Sequence, residues 1–174
     1  MIIVKIYVNF VLYYFVSNKM FSLSSNKYVT LRSNSSKDLY LENYAYDFTN
    51  QLCTTLNYSN KTEVALAEIH LPLNFRQDKD QKKLRQIFVL TDLIDDSIVG
   101  SSRLNILKVI SVDLSTFVQE FQVELFQNLF FYPLAQNSIN NIRIQITDPE
   151  GNILKTSKTY LRPTDETFIV LQFK

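Results

Sequence analysis

Asn141-Ile142-Arg143-Ile144-Gln145-Ile146-Thr147-Asp148-Pro149-Glu150-Gly151 is the stretch that decides the fold class. Isoleucine at 142, 144 and 146 alternates with Arg143, Gln145 and Thr147. A period of two sends the two sets to opposite faces of an extended chain and predicts a half-buried strand. The tetrad 148–151 then has Asp first, Pro second and Gly fourth, the order a type I turn prefers.

Outward from there the same signal recurs. Residues 167–173 predict a closing strand, with Phe168 and Val170 set against Leu171 and Phe173. Residues 115–131 fit two templates: Phe117, Phe121, Leu125 and Leu129 recur every four residues, and Phe121, Val123 and Leu125 alternate. The surrounding strands favour the strand reading. Residues 104–112 read as one buried strand and residues 87–90 as a short, continuously apolar one. In residues 62–71 Val64 and Leu66 share a face with Glu68 and His70, while Glu63, Ala65, Ala67 and Ile69 take the other. Pro72 follows too soon for a stable helix there. Tyr44, Tyr46, Phe48 and Leu52 fall on even positions, and residues 28–31 make the first clear strand. Counted together, about eight strands predict an all-β, single jelly-roll-like antiparallel β-sandwich.

The chain of 174 residues is one domain in size, and 46% hydrophobic residues can fill its core. A formal net charge of +1 gives no global field for nucleic acid or an anionic membrane, so neither is expected as a specific partner. Residues 78–85 carry four Lys or Arg and two Asp and read as a solvated turn. Only Gly100 and Gly151 are glycine, whereas fifteen residues are Asn, so turns must rely on Asn, Asp and Ser.

Residue types that carry chemistry are sparse. Cys53, the lone cysteine, allows no intrachain disulfide and reads as a small core residue. His70, the lone histidine, has no nucleophile or orienting group beside it in sequence. Asp92, Asp95 and Asp96 read as turn formers, lacking the further oxygen ligands and the glycine of a calcium loop. No catalytic residue, cofactor site or metal site is expected, and the chain reads as a non-enzyme.

Residues 1–19 form an apolar N-terminal extension or arm, and residues 20–174 the domain. About sixteen helical residues span roughly 24 Å, short of a bilayer core of about 30 Å. Val16-Ser17-Asn18 is a poor signal-peptidase site. A strand or arm, a signal or anchor, and an upstream extension ahead of a natural start at Met20 all remain open. Sequons at Asn34, Asn57 and Asn60 are close to the number chance would give.

Several segments, in one order, resemble the minor capsid proteins of Polinton/Maverick elements and the related adintoviruses. Tyr28-Val29-Thr30-Leu31-Arg32-Ser33-Asn34-Ser35-Ser36 is similar to that family's opening aromatic-x-T-L-P-S-N-S-S, with Arg32 in place of Pro. Phe48-Thr49-Asn50-Gln51-Leu52 resembles its F-x-T-x-L strand. Glu63-Val64-Ala65-Leu66-Ala67-Glu68-Ile69 resembles W-E-V-G-L-x-E-I, with Thr62 replacing Trp. Phe88-Val89-Leu90-Thr91-Asp92-Leu93-Ile94 and Ile98-Val99-Gly100 resemble V-Y-T-D-I-I-x-x-x-I-V-G-D, and residues 104–110 the L-L-R-V-V that follows. Residues 139–151 and 168–174 resemble F-D-T-I-E-I-x-I-R-D-x-x-G and V-T-L-H-F-R. The resemblance covers most of residues 28–174. It departs in the middle: residues 70–85 fill a gap that is much longer in the family, so the sandwich is expected to be shortened there.

The resemblance implies a penton-type minor capsid subunit. Such a subunit forms homopentamers at the five-fold vertices of a virion whose facets a double-jelly-roll major capsid protein fills. Phe130, Phe131 and Tyr132 are candidates for neighbour contacts, with core packing as the alternative. Three rivals make distinct predictions. A secreted or particle-surface binding module would have modified sequons. A cupin-type enzyme would need a His-rich metal cluster. A degenerate copy would fail to assemble.

Overall fold

The computed structural model describes residues 27–73, 75, 84–99, 102–112, 121–155 and 166–174. Eleven strands occur among them: β1 (Lys27–Arg32), β2 (Asp47–Asn57), β3 (Glu63–Pro72), β4 (Gln86–Thr91), β5 (Ser97–Val99), β6 (Ser102–Leu104), β7 (Ile106–Ser111), β8 (Phe121–Leu125), β9 (Tyr132–Pro133), β10 (Ser138–Thr147) and β11 (Phe168–Phe173). One sheet has the order β1-β11-β3-β8, with β9 also on β3; the second has the order β2-β10-β4-β7. β5 and β6 form a separate hairpin. Every pairing is antiparallel. The fold is therefore the all-β sandwich that the periodicity predicts. The residue 1–19 extension lies outside the described residues, as do most of the charged 78–85 turn and Gly100.

The isoleucine ladder behaves as its pattern demands. Ile142, Ile144 and Ile146 are fully buried between the sheets, in a core with Phe48, Ile69, Val89 and Leu171. Arg143 faces outward and grips Asp47 through two bonds of 3.0 and 2.8 Å. At the turn, Gly151 N–H donates to the Asp148 carbonyl, and Gly151 has φ of 89°. That left-handed value is one glycine adopts without a Cβ penalty. Ser36, with φ of 56°, is the one non-glycine in that region among the described residues. It follows the expectation that polar residues stand in for scarce glycine.

Three details differ from the sequence reading. First, β3 changes phase. Val170 lies opposite Glu68 but Leu171 lies opposite Leu66, so Ala67 is an extra residue. A bulge of one residue inverts which parity faces the core. Val64 and Leu66 point inward before it, Ile69 and Leu71 after it, and Glu68 and His70 are turned out. Second, the buried 104–112 strand is split at Asn105 into β6 and β7. The Asn105 amide donates to the Thr91 carbonyl, and its own carbonyl accepts the Thr91 N–H. The β5–β6 hairpin then packs Val99 and Leu104 against Phe88, Leu90 and Ile106. This explains why β4 is apolar throughout: Ile87 and Val89 face the main core, and Phe88 and Leu90 a smaller one under the hairpin. Third, β2 arches. Ile139 pairs with Leu56 and Asn141 with Gln51, leaving residues 52–55 opposite Asn140 alone.

Candidate assembly surface

Two asparagines fix one open side of the sandwich. Asn50 occupies an even, inward position of β2 and is 5% exposed. Its Oδ1 accepts the Arg32 backbone N–H at 2.8 Å, and its Nδ2 donates to the Arg32 carbonyl at 2.9 Å. The side-chain amide thus replaces the backbone of a neighbouring strand and ties the edge of one sheet to the other. Asn43 does the same for β2: Oδ1 accepts the Thr49 N–H at 2.9 Å, and Nδ2 donates to the Thr49 carbonyl at 2.8 Å. Ser36 Oγ accepts the next free donor on that edge, the Gln51 N–H, at 3.0 Å. Beyond this closure a groove of about 310 Å³ opens between β1 and the arched part of β2, lined by Tyr28, Thr30, Leu52, Cys53 and Leu56 among others. On the opposite side Gln122 Nε2, from β8, donates to the Ser111 carbonyl of β7 at 2.9 Å.

The outer faces of the two sheets differ. The hairpin covers Phe88 and Leu90 on the β2-β10-β4-β7 sheet. The outer face of the β1-β11-β3-β8 sheet carries large apolar side chains in the open: Tyr28 is 60% exposed, Val123 52% and Leu125 69%. Phe168 and Val170, half-buried, fill the rows between them. The ionisable groups on this face have near partners. His70 Nε2 lies 2.5 Å from Glu68 Oε1, and its ring meets Phe168 edge-on at 5.1 Å. Arg32 grips Glu166 at 2.7 and 2.9 Å, and Lys174 Nζ meets Glu63 at 3.0 Å. Exposed apolar side chains set among polar groups that have near partners are suited to contact with another protein surface.

The sequence-level candidates are placed as follows. Cys53 is exposed on the β2 arch, which corrects its reading as a core residue: the arch lifts residues 52–55 away from β10. His70 lies on the outer face with Glu68 as its partner. Asp92 is a positioning residue. Its Oδ1 accepts the Arg143 N–H at 3.0 Å, and burial raises its carboxyl above the usual range while that bond and the Arg143 charge oppose the rise. Asp95 and Asp96 are exposed. Phe130 is exposed and tilts on Tyr132 at 5.0 Å. Tyr132 packs against the core, and Phe131 lies under Lys174 Nζ at 3.9 Å. Among the described residues, no three His, Cys, Asp or Glu side chains converge on a point that could hold a metal ion.

Sequence reasoning singled out neither clasping asparagine. Each acts on a strand distant in sequence or around a turn, and no periodicity marks it. Compared with known protein families and with curated proteins, the chain matches none.

Proposed function

We propose that this chain is a structural shell subunit, a penton-type minor capsid protein of the Polinton/Maverick kind, which acts by assembly and not by catalysis. The observation that carries the reading is the strand order. Leaving aside the β5–β6 hairpin and short β9, eight strands remain, and the chain crosses between sheets so that β1, β3, β8 and β11 interleave in one and β2, β4, β7 and β10 in the other. We read this interleaving as the wrapped order of a jelly roll, an architecture shared by viral capsid domains, lectins and cupins. The resemblance of residues 28–174 to minor capsid proteins favours the first of these. The exposed Tyr28, Val123 and Leu125 on one sheet support it further, because a shell subunit must meet neighbours. On this reading the partners are four further copies and a double-jelly-roll major capsid protein, and the protein resides in the virion.

The test is the mass of the purified full-length chain in solution, by light scattering over a concentration series. A discrete species of about five subunits is expected. A folded chain that stays monomeric at high concentration would remove self-assembly and favour a binding module or a non-assembling copy.

A further inference from the structure

We propose that copies of this chain join head to tail, β8 of one subunit adding to β1 of the next, so that the β1-β11-β3-β8 sheet continues from subunit to subunit. The inference rests on the assembly reading above and names the surface through which it would act.

A sandwich has four outer edges, and an unprotected edge is a template for pairing with another chain. The two edges of the β2-β10-β4-β7 sheet are each blunted in part by side chains, β7 at Ser111 alone. On β2, Asn43 occupies the outward backbone groups of Thr49, and Ser36 takes the Gln51 N–H. On β7, Gln122 occupies the Ser111 carbonyl. The other two edges belong to a single sheet and, among the described residues, are open in defined places. On β1, Ser33 N–H donates to the Thr167 carbonyl, which sets the odd residues as those bonded to β11. The N–H and C=O of Arg32 therefore point away from the sheet, and Asn50 takes both. Tyr28 and Thr30, at the same parity, direct their backbone groups the same way, beyond the reach of that asparagine. On β8, Phe126 N–H donates to the Ala67 carbonyl, so even residues bond to β3. The backbone groups of Phe121, Val123 and Leu125 point outward.

The two open edges are complementary in direction, charge and side-chain face. Successive strands in the sheet alternate in direction, so β8 runs opposite to β1. A copy placed beside the first by rotation about an axis along the strands brings its β1 antiparallel to β8. Such a heterologous contact closes into a ring when the rotation divides a full turn. β1 carries Lys27 and Arg32 and no acid; β8 carries Glu124 and no base. Setting Thr30 opposite Val123 puts Tyr28 opposite Leu125. Both pairs then exchange backbone hydrogen bonds, and their side chains share the outer face. The most exposed apolar residues on this face thereby cover one another. Lys27 and Glu124 fall as diagonal neighbours on the opposite face, within reach for long side chains.

The test is a cross-link in the full-length chain. Thr30→Cys and Val123→Cys are combined in a Cys53→Ser background, because the exposed native thiol would otherwise compete. Oxidation is expected to give a ladder of covalent multimers that ends at the size seen by light scattering, whereas Thr30→Cys alone stops at dimers. A protein that is assembled by light scattering but gives no ladder overturns the edge pairing and leaves the assembly reading standing; a strictly monomeric chain overturns both. A second variant needs no cross-link. The Val123 N–H is not used by β3, so Val123→Pro deletes an edge donor without deleting an internal ladder bond. Its monomer is expected to melt near the parent temperature while association weakens by roughly tenfold or more. Unchanged association in a folded Val123→Pro protein overturns the proposal. Should that variant not fold, the cross-link decides alone.

Discussion

Replacing Asn50 with Ala tests whether the clasp between the two sheets holds the sandwich together. The substitution removes bonds of 2.8 and 2.9 Å to the backbone of Arg32 and a longer one of 3.4 Å to the Ser35 carbonyl. Each neutral hydrogen bond contributes about 1 kcal/mol net, and a donor left unpaired away from water adds a further penalty of order 1 kcal/mol. Asn50 is nearly buried while Arg32 sits at an edge that water can partly reach, so the sum is about 2–3 kcal/mol. For a domain this size that lowers the melting midpoint by roughly 5–10 °C. In urea, with a slope of about 2–3 kcal/mol per molar, the midpoint falls by about 1 M while the slope itself stays constant. Asn50→Asp separates the bond from the space it fills. The carboxylate still accepts the Arg32 N–H but turns a charge toward the Arg32 and Ser35 carbonyls. Protonation restores a donor, so Asn50→Asp should lose more stability at neutral pH than in mild acid. A loss below about 0.5 kcal/mol for Asn50→Ala, read by urea unfolding, would mean that water replaces the amide and that the clasp contributes little.

Two further outcomes follow from polar groups that the fold shields in part from water. Burial raises the Asp92 carboxyl, so the folded state binds a proton there more readily than the unfolded chain does. Stability from this group is therefore greatest in acid and declines as pH rises from about 4 through the folded-state value. Asp92→Asn can still accept the Arg143 N–H, so it should match or exceed the parent at pH 7 and lose that advantage toward pH 4, measured by thermal melts across pH. The Tyr58 ring stacks on Phe173 at 4.9 Å, while its buried hydroxyl has no hydrogen-bond partner among the described residues. Tyr58→Phe keeps the stack and removes that group, so it should be neutral or stabilising by up to about 1 kcal/mol in the same melts; a loss of that size would show that the hydroxyl is satisfied.

The strands were readable where period and face coincide. Ile142, Ile144 and Ile146, the 148–151 turn and the residues of β11 follow from side-chain alternation and turn chemistry, both local. The misreadings share one cause: a departure from strict alternation that only a partner strand defines. The Ala67 bulge is set by β11, the 52–55 arch by β10, and the break at Asn105 by Thr91. Each leaves a plausible uninterrupted run in the sequence. The outward pair of Glu68 and His70 was hidden for the same reason, since its face depends on the bulge. Asn50 was invisible for another. An asparagine at an inward strand position looks like a break in the pattern until the Arg32 backbone, 18 residues away, is seen across from it.

The position of β11 governs when this protein can take shape. It lies between β1 and β3, bonded to both along its length, yet it is the last strand to be synthesised of all those described. Until residues 168–173 are made, β1 lacks the described strand it pairs with, and β3 lacks its neighbour along Val64–His70. Loop-closure entropy across some 140 residues makes this pairing late and slow. A chain that stops before β11 therefore leaves β1 unpaired and one side of β3 as a raw edge, a form prone to aggregate. Completion of that sheet waits on β11: β1 joins β3 in one sheet only once Phe168–Phe173 lie between them.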